Sequence, residues 1–450
     1  VSGSPGPVRE GTPGPAIPYW FYVFVPVSAA SAGFSVLLPL LILIPLHGNI
    51  LEVALAQSLY NSALIPAAVI WGVVADRSRR RAPLLLVNYT SFAVAFALLA
   101  LVPNISALLV IYTLYGFVAP SGAAAASLII LERFPPGHRA RAFTTYSELT
   151  VIGSILGLLA GFLWVSSLVA HASLEAFLYV TTILSGASAL GSFLWIRDPP
   201  QRETRAALTR TPLGLASRLR NGIPFFLLVP HTRSWFRRAG RWLVQEATHE
   251  VPLILTAGFL FNLATNLFNT SYIPYLRAFG LGAASIFLVN LANNLGQAGM
   301  LPFSARACQG PGMDRSVVRA TWGRALGYAA VLAFAALPIL ASVGHANFLG
   351  SNVVAYAVLG AAAALYGTAS SLLLFRSLEG RTAGSLIGAN SALGGLAAVL
   401  GSAASGVVSY RLGFSWTFGI SALVMASSIP LWRRASRAYQ ERRSTPAVSS

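Results

Sequence analysis

Apolar windows of about twenty residues recur along the whole chain, separated by short polar breaks in which arginine is concentrated. Crossing the hydrocarbon layer of a bilayer, about 30 Å thick, takes about 20 apolar residues in helix, because a helix satisfies its own backbone polar groups in lipid. The windows predict twelve membrane spans, at 20–46, 51–75, 82–103, 106–131, 143–168, 173–196, 252–276, 283–304, 323–343, 352–375, 385–409 and 413–432. The expected fold class is all-α and integral to the membrane. Residues 1–18, rich in Pro and Gly, read as a flexible cytoplasmic tail, and the run from Tyr19 to Leu46 is too long for the core of a secretory signal.

Composition agrees: 55% of the residues are apolar and 10% charged, where a soluble domain carries about 25% charged residues. Mean hydropathy is +0.67. All 31 basic residues are Arg, and against 13 acids they give a formal charge of +18. They lie between apolar runs, which excludes a nucleic-acid groove. Positive charge is retained in cytoplasmic loops, and only Arg277 and Arg411 fall on the face opposite the rest. Both termini are therefore expected in the cytoplasm, with a prokaryotic plasma membrane as the site. The even number of spans agrees. The single cysteine, Cys308, excludes an internal disulfide and a cysteine-based zinc site, and no metal or cofactor is expected. The chain has no Lys and no phosphate-cradling G-x-x-x-x-G-K-[ST] loop, so nucleotide hydrolysis does not drive it.

The longest polar stretch, 197–251, holds ten Arg and four acids and divides the chain into two sets of six spans, 19–196 and 252–432, followed by a basic tail, 433–450. Within the stretch Trp235, Ala239, Trp242 and Leu243 share one helical face, with Arg237, Arg238 and Arg241 elsewhere, the pattern of a helix lying on an anionic lipid surface. A surface-bound connector and a dock for a regulatory partner both fit. The two sets align weakly as a repeat: Arg139 on Arg381 sets Gly153 on Gly395 and Glu148 on Asn390, Arg77 on Arg306 sets Asn61 on Asn290, and Pro39 falls on Pro274.

The second span ends in Gly72-Val-Val-Ala-Asp76-Arg77-Ser-Arg79-Arg80-Arg81-Ala-Pro-Leu84. An acid at the negative end of a helix needs a cationic or helix-N-terminal partner. The run resembles the G-x-L-a-D-R-x-G-R-[RK] signature of the major facilitator superfamily, as do the loop Glu132 to Arg139 and the glycines Gly153, Gly157 and Gly161 of the fifth span. The resemblance implies two pseudo-symmetric six-helix bundles. It also implies a cytoplasmic gate at Gly72, Asp76, Arg77, Arg80 and Arg81, in which Asp76 pairs with a loop Arg and the eleventh span, while Gly72 permits close helix approach. Arg79 stands where the family has Gly, and the second-half copy has Ala305 for the acid, so the lock is single-sided.

Ionisable groups inside a membrane are functional candidates by default. Glu148 is the one well inside a span, and it is either a buried proton-coupling carboxyl or a packing residue paired near Arg139 or Arg141. No Arg lies deep in a span on this reading, so an anionic solute lacks a charge partner. Asn262, Asn266 and Asn269 share a face of the seventh span, and Asn290, Asn294 and Gln297 a face of the eighth. Such stripes bind solute hydroxyls and amides or glue helices together. Asn61, Tyr112, Tyr272, Tyr356 and Asn390 complete the substrate-binding candidates, and Gly153, Gly157 and Gly161 are packing contacts.

The leading expectation is a monomeric, proton-coupled secondary transporter of a small organic solute in anionic lipid, narrowly favouring efflux of drug-like molecules. Sugar or polyol uptake and an uncoupled facilitator stay open. A sensor or a membrane-embedded enzyme is the non-transporter alternative, and with one enclosed acid and no enclosed His the chemistry of an enzyme is poorly supplied.

Overall fold

The computed structural model describes residues 18–78, 81–102, 104–134, 136–166, 174–196, 250–308, 313–336, 344–377 and 383–444. The connector expected at 197–251, with its amphipathic stretch, lies almost wholly outside the described residues, as do both tails beyond these bounds. A 3-10 turn, Tyr19–Val23, leads into α1 (Phe24–Leu43), α2 (Ile50–Arg77), α3 (Ala82–Ala100), α4 (Ile105–Val118), α5 (Pro120–Arg133), α6 (Pro136–Ser166) and α7 (Leu174–Trp195). The second set is α8 (Glu250–Ala278), α9 (Ala283–Ala307), α10 (Met313–Ala336), α11 (Gly344–Ser377), α12 (Ala383–Leu412) and α13 (Phe414–Ser444). No strand occurs among the described residues.

Among the described residues, ten candidate membrane spans are long and apolar enough to cross, with α4 and α5 together forming one, Ile105–Ile130. α9 and α10 fill the two remaining places of the expected twelve, diluted respectively by amides and by Arg315, Arg319 and Arg324. α10 starts at Met313, ahead of the expected 323, and α13 runs to Ser444, past the expected 432. Hydropathy reports the lipid-buried part of a helix, whereas the helix itself runs on into water.

Local chemistry sets the ends. Asn49 and Glu52 form a reciprocal capping box on α2, the Asn49 side chain accepting from Leu51 N at 2.8 Å and Glu52 Oε2 accepting from Asn49 N at 2.6 Å. Gly413, at φ +92°, joins α12 to α13 in a single left-handed residue, a turn that any side chain would strain.

The helices pair in the same way in each set. α1 packs on α6 and α7, α2 on α4, and α3 on α7; α8 packs on α12 and α13, α9 on α11, and α10 on α13. A pseudo-twofold relation therefore maps α1 to α8, α3 to α10, α4–α5 to α11 and α6 to α12. It also exchanges the two main inter-bundle seams, α2 with α12 and α6 with α9. Large apolar side chains such as Ile183 (70%), Phe193 (70%) and Leu423 (72%) stand exposed on the outside, a belt that suits lipid.

Candidate functional site

The span that was expected as one helix, 106–131, is broken at Pro120. Proline has no N–H, so the Gly116 carbonyl one turn back has no helical donor. Side chains donate to the three carbonyls that follow it. Trp71 Nε1 donates to Phe117 O at 2.8 Å, Ser121 Oγ to Val118 O at 2.8 Å, and Asn88 Nδ2 to Val118 O at 3.1 Å and Ala119 O at 3.3 Å. Gly122 lies so close to Asn88 that a Cβ there would collide with its amide. Trp71 and Asn88 thus tie the Pro120 interruption to α2 and α3, while Ala119 keeps helical dihedrals and its N–H donates to Tyr115 O at 3.0 Å.

Beside the break is a cavity of about 400 Å³, within the range of small-molecule sites. α1 contributes Phe24, Ser28 and Ser31, α3 contributes Asn88, Tyr89 and Phe92, and α6 contributes Tyr146, Thr150 and Ser154, with Ala119 and Gly122 at the break. No charged side chain is among the lining residues. Thr150 Oγ1 donates to Ser147 O and Ser154 Oγ to Thr150 O, both within α6. Their oxygens remain able to accept, while the amide oxygen of Asn88 packs against Gly122 and its N–H groups go to the break. The Tyr89 and Tyr146 hydroxyls can donate, and Phe24 meets Tyr146 edge-on at 4.8 Å as an aromatic wall. Such a lining suits a neutral solute with several hydroxyls and one apolar face.

None of these lining residues was a sequence candidate. Tyr146, Thr150 and Ser154 at i, i+4 and i+8 form a legible polar stripe, but hydroxyls in a span are as often packing as lining. The candidates themselves sort differently from expectation. Asn61 does not line this cavity: Asn61 Nδ2 donates to Ser402 Oγ at 3.1 Å across the α2–α12 seam. Asn262 and Asn266 donate to Gly258 O and Asn262 O, each at 2.9 Å, and face Gly394 and Gly401 of α12. Asn290 and Asn294 likewise donate one turn back. Asn269 is exposed, and Asn390 stands opposite Gly258. The polar link between α9 and α11 comes from Asn293, whose Nδ2 donates to Tyr356 O at 3.0 Å.

The tyrosines are core. Tyr112 stacks on Tyr60 at 4.7 Å and donates to Gln57 Oε1 at 3.3 Å. Tyr272 is fully buried, donates to Asn352 Oδ1 at 3.0 Å and meets Tyr356 at 4.4 Å.

Glu148 is not enclosed. It is exposed on the face of α6 that carries Ile152, Leu156 and Leu163, away from the glycines. Gly153 and Gly157 press on the backbone of α1 at Val25 and Ala29, while Gly161 meets Phe287 of α9 across the second seam. In the gate motif a Cβ at Gly72 would meet nothing, which corrects the expected close approach, and Ile70 and Val74 beside it are exposed. Arg81 pairs with Glu132 at 3.3 Å, tying α3 to α5 inside one bundle. The side chains of Asp76, Arg77 and Arg80 lie outside the described residues.

The seam contacts fall toward one end. Ile50 and Ala54 lie against Gly406, Ile65 lies against Gly395, and Phe287 meets Gly161 and Phe177. Ile50, Ala54 and Phe287 lie at the arginine-poor ends of their helices and Ile65 near the middle of α2, and a Cβ at Gly72 meets nothing within 4 Å. Among the described residues the bundles touch on the arginine-poor side.

Arg324 is 8% exposed and enclosed by the second bundle. Its sequence signal is its place on the buried stripe of Val317, Thr321, Tyr328 and Val331, whereas Arg315 and Arg319 are exposed.

A family model described as Major Facilitator Superfamily matches residues 21–351. Among solved structures, a mutant of the nucleoside transporter NupG is similar at 12% identity and TM-score 0.65, with 92% of this chain and 98% of that one covered. A D-xylose-proton symporter is similar at 13% identity and TM-score 0.65, covering 92% and 95%. A bacterial homolog of the human lysosomal transporter Spinster, inward-facing and occupied, is similar at 13% identity and TM-score 0.58, covering 95% and 97%. No curated protein is significantly similar in sequence.

Proposed function

Since this chain belongs to the Major Facilitator Superfamily, a family of membrane transporters, we propose that it carries a small, neutral, hydroxylated solute by alternating access through the cavity beside the Pro120 break. The observation that carries the reading is the lining: acceptors from Thr150 and Ser154, donors from Tyr89 and Tyr146, an aromatic wall and no charge. A polyol, a pentose or a nucleoside has that chemistry, and two of the similar structures are a nucleoside transporter and a D-xylose symporter. The arginine-rich face is cytoplasmic in this reading, so the state described is closed to the outside. The aromatic wall of Phe24, Phe92 and Tyr146 favours a second reading, efflux of lipophilic molecules.

The test is binding by the purified protein to a panel of polyols, pentoses, nucleosides and lipophilic cations, read as thermal stabilisation, followed by flux into proteoliposomes with and without a pH gradient. The hydroxylated solutes are expected to stabilise and to be carried; stabilisation by the lipophilic cations alone selects the efflux reading. Proton coupling through Glu148 predicts that Glu148→Gln removes the gradient dependence of flux, and an unchanged dependence excludes that residue.

A further inference from the structure

Two exposed arginine pairs stand at one end of the second bundle. On α10 the outward stripe reads Arg315, Arg319, Trp322 and Leu326, at i, i+4, i+7 and i+11. Trp322 is 42% exposed and Leu326 61%. On α13, Arg433 and Arg437 are exposed one turn apart, toward the end of the helix. Among the described residues none of these four arginines forms an ion pair.

The packing of α10 on α13 sets the pairs side by side. Ser415 Oγ of α13 donates to Ala335 O of α10 at 3.0 Å, and Gly419 of α13 faces Leu332 of α10. The contacts run in opposite directions along the two helices, which are therefore antiparallel. Arg433 and Arg437 follow Ser415 and Gly419 by eighteen residues, five full turns, and so return to the α10 side of α13. The same count back from Ala335 reaches Val317, between Arg315 and Arg319. The two pairs thus lie at one level, where Val317 shares a buried cluster with Trp432 and Ala435.

Retention of positive charge on one side of a membrane is met by arginines in loops and does not ask for them on an outward helix face. The contrast lies in α3, which the pseudo-twofold relation maps to α10: its outward stripe over the first turns is Pro83, Val87, Thr90 and Val94, without charge. We infer that the outer groove between α10 and α13 binds an anionic lipid whose headgroup carries two phosphates. Each arginine pair spans about 6 Å along its helix and holds one phosphate by charge-assisted hydrogen bonds. Trp322 then stands at the level of the glycerol, and Leu326 lies along an acyl chain, the order of charge, indole and aliphatic side chain that a membrane interface favours. Basic pockets between membrane helices take headgroups of this kind. A lipid with one phosphate engages one pair alone. The groove faces lipid and is separate from the cavity of the first bundle, so neither reading rests on the other.

The test is native mass spectrometry of the purified full chain, titrated with tetraoleoyl cardiolipin, dioleoyl phosphatidylglycerol and dioleoyl phosphatidylethanolamine, with inorganic pyrophosphate as competitor. One cardiolipin is expected to bind about tenfold or more tighter than either other lipid. The double variants Arg315→Gln/Arg319→Gln and Arg433→Gln/Arg437→Gln are each expected to weaken it by about tenfold or more. Arg141→Gln/Arg306→Gln removes as much exposed charge elsewhere on the same side and is expected to leave cardiolipin binding unchanged. Should a double variant fail to fold, the single variants Arg319→Gln and Arg437→Gln carry the test, each with an expected loss of about fivefold. Equal weakening in the Arg141/Arg306 control, phosphatidylglycerol bound as tightly as cardiolipin, or cardiolipin binding unchanged in the site variants overturns the assignment. Displacement of cardiolipin by equimolar pyrophosphate makes the groove a site for free anions and also overturns it.

Discussion

Replacing Gly157 by Leu is expected to abolish assembly of the first bundle. A Cβ at Gly157 would sit inside the backbone of Ala29, and the neighbouring Gly153 already touches Val25 and Ser28, so no side-chain motion can make room. α1 and α6 would have to separate over their whole contact. Overpacking in a close-packed interior costs about 1–3 kcal/mol and more where backbone is the obstacle. In a membrane the close approach of small residues is itself a main source of helix association. Gly186→Leu is the matched control, because nothing lies within 4 Å of a Cβ there. Size-exclusion profile and thermal melting check the pair: the Gly157 variant is expected to aggregate or lose more than half its yield, and the Gly186 variant to match the wild type. A well-folded Gly157→Leu protein would show that the α1–α6 contact is looser than described.

The second large effect is expected at the cavity. Ser154→Trp projects an indole into a space of about 400 Å³ from its α6 wall, and hydroxylated solutes are expected to lose binding altogether. Ser154→Ala removes only one acceptor, for which a two- to tenfold loss is expected, about 0.5–1.5 kcal/mol. The contrast separates occlusion from misfolding, provided both variants melt within a few degrees of the wild type. If Ser154→Trp still binds and carries the solute, the site lies elsewhere.

The helices were legible in the sequence because lipid imposes length and apolarity on every span, and the arginines mark the breaks between them. The start of α10 was not, since Arg315 and Arg319 end the apolar window while the helix continues through them. The break at Pro120 left a visible residue, but its partners, Trp71 and Asn88, come from other helices and only folding brings them together. The asparagine stripes left solute binding and helix packing both open, and only the folded chain shows that Asn262, Asn266, Asn290 and Asn294 each donate on their own helix one turn back. Glu148 is exposed because it shares its α6 stripe with Ile152 and Leu156. Asn61 was recognised as polar at mid-span, yet its partner Ser402 is 341 residues away on the other bundle.

The central claim is that two pseudo-symmetric bundles rock about the α2–α12 and α6–α9 seams, closing one side as the other opens. Both ends of the α6–α9 seam carry exposed positions: Ser166 and Gly282 on the arginine-poor side, Arg141 and Arg306 on the arginine-rich side. Spin labels on cysteines at each pair, in a Cys308→Ala background, give two distances in one protein by pulsed electron resonance. Across the transport cycle, driven by bound solute or by pH, the Ser166–Gly282 distance is predicted to lengthen in the same population in which Arg141–Arg306 shortens. Two distances that stay fixed, or that lengthen together, would contradict the account.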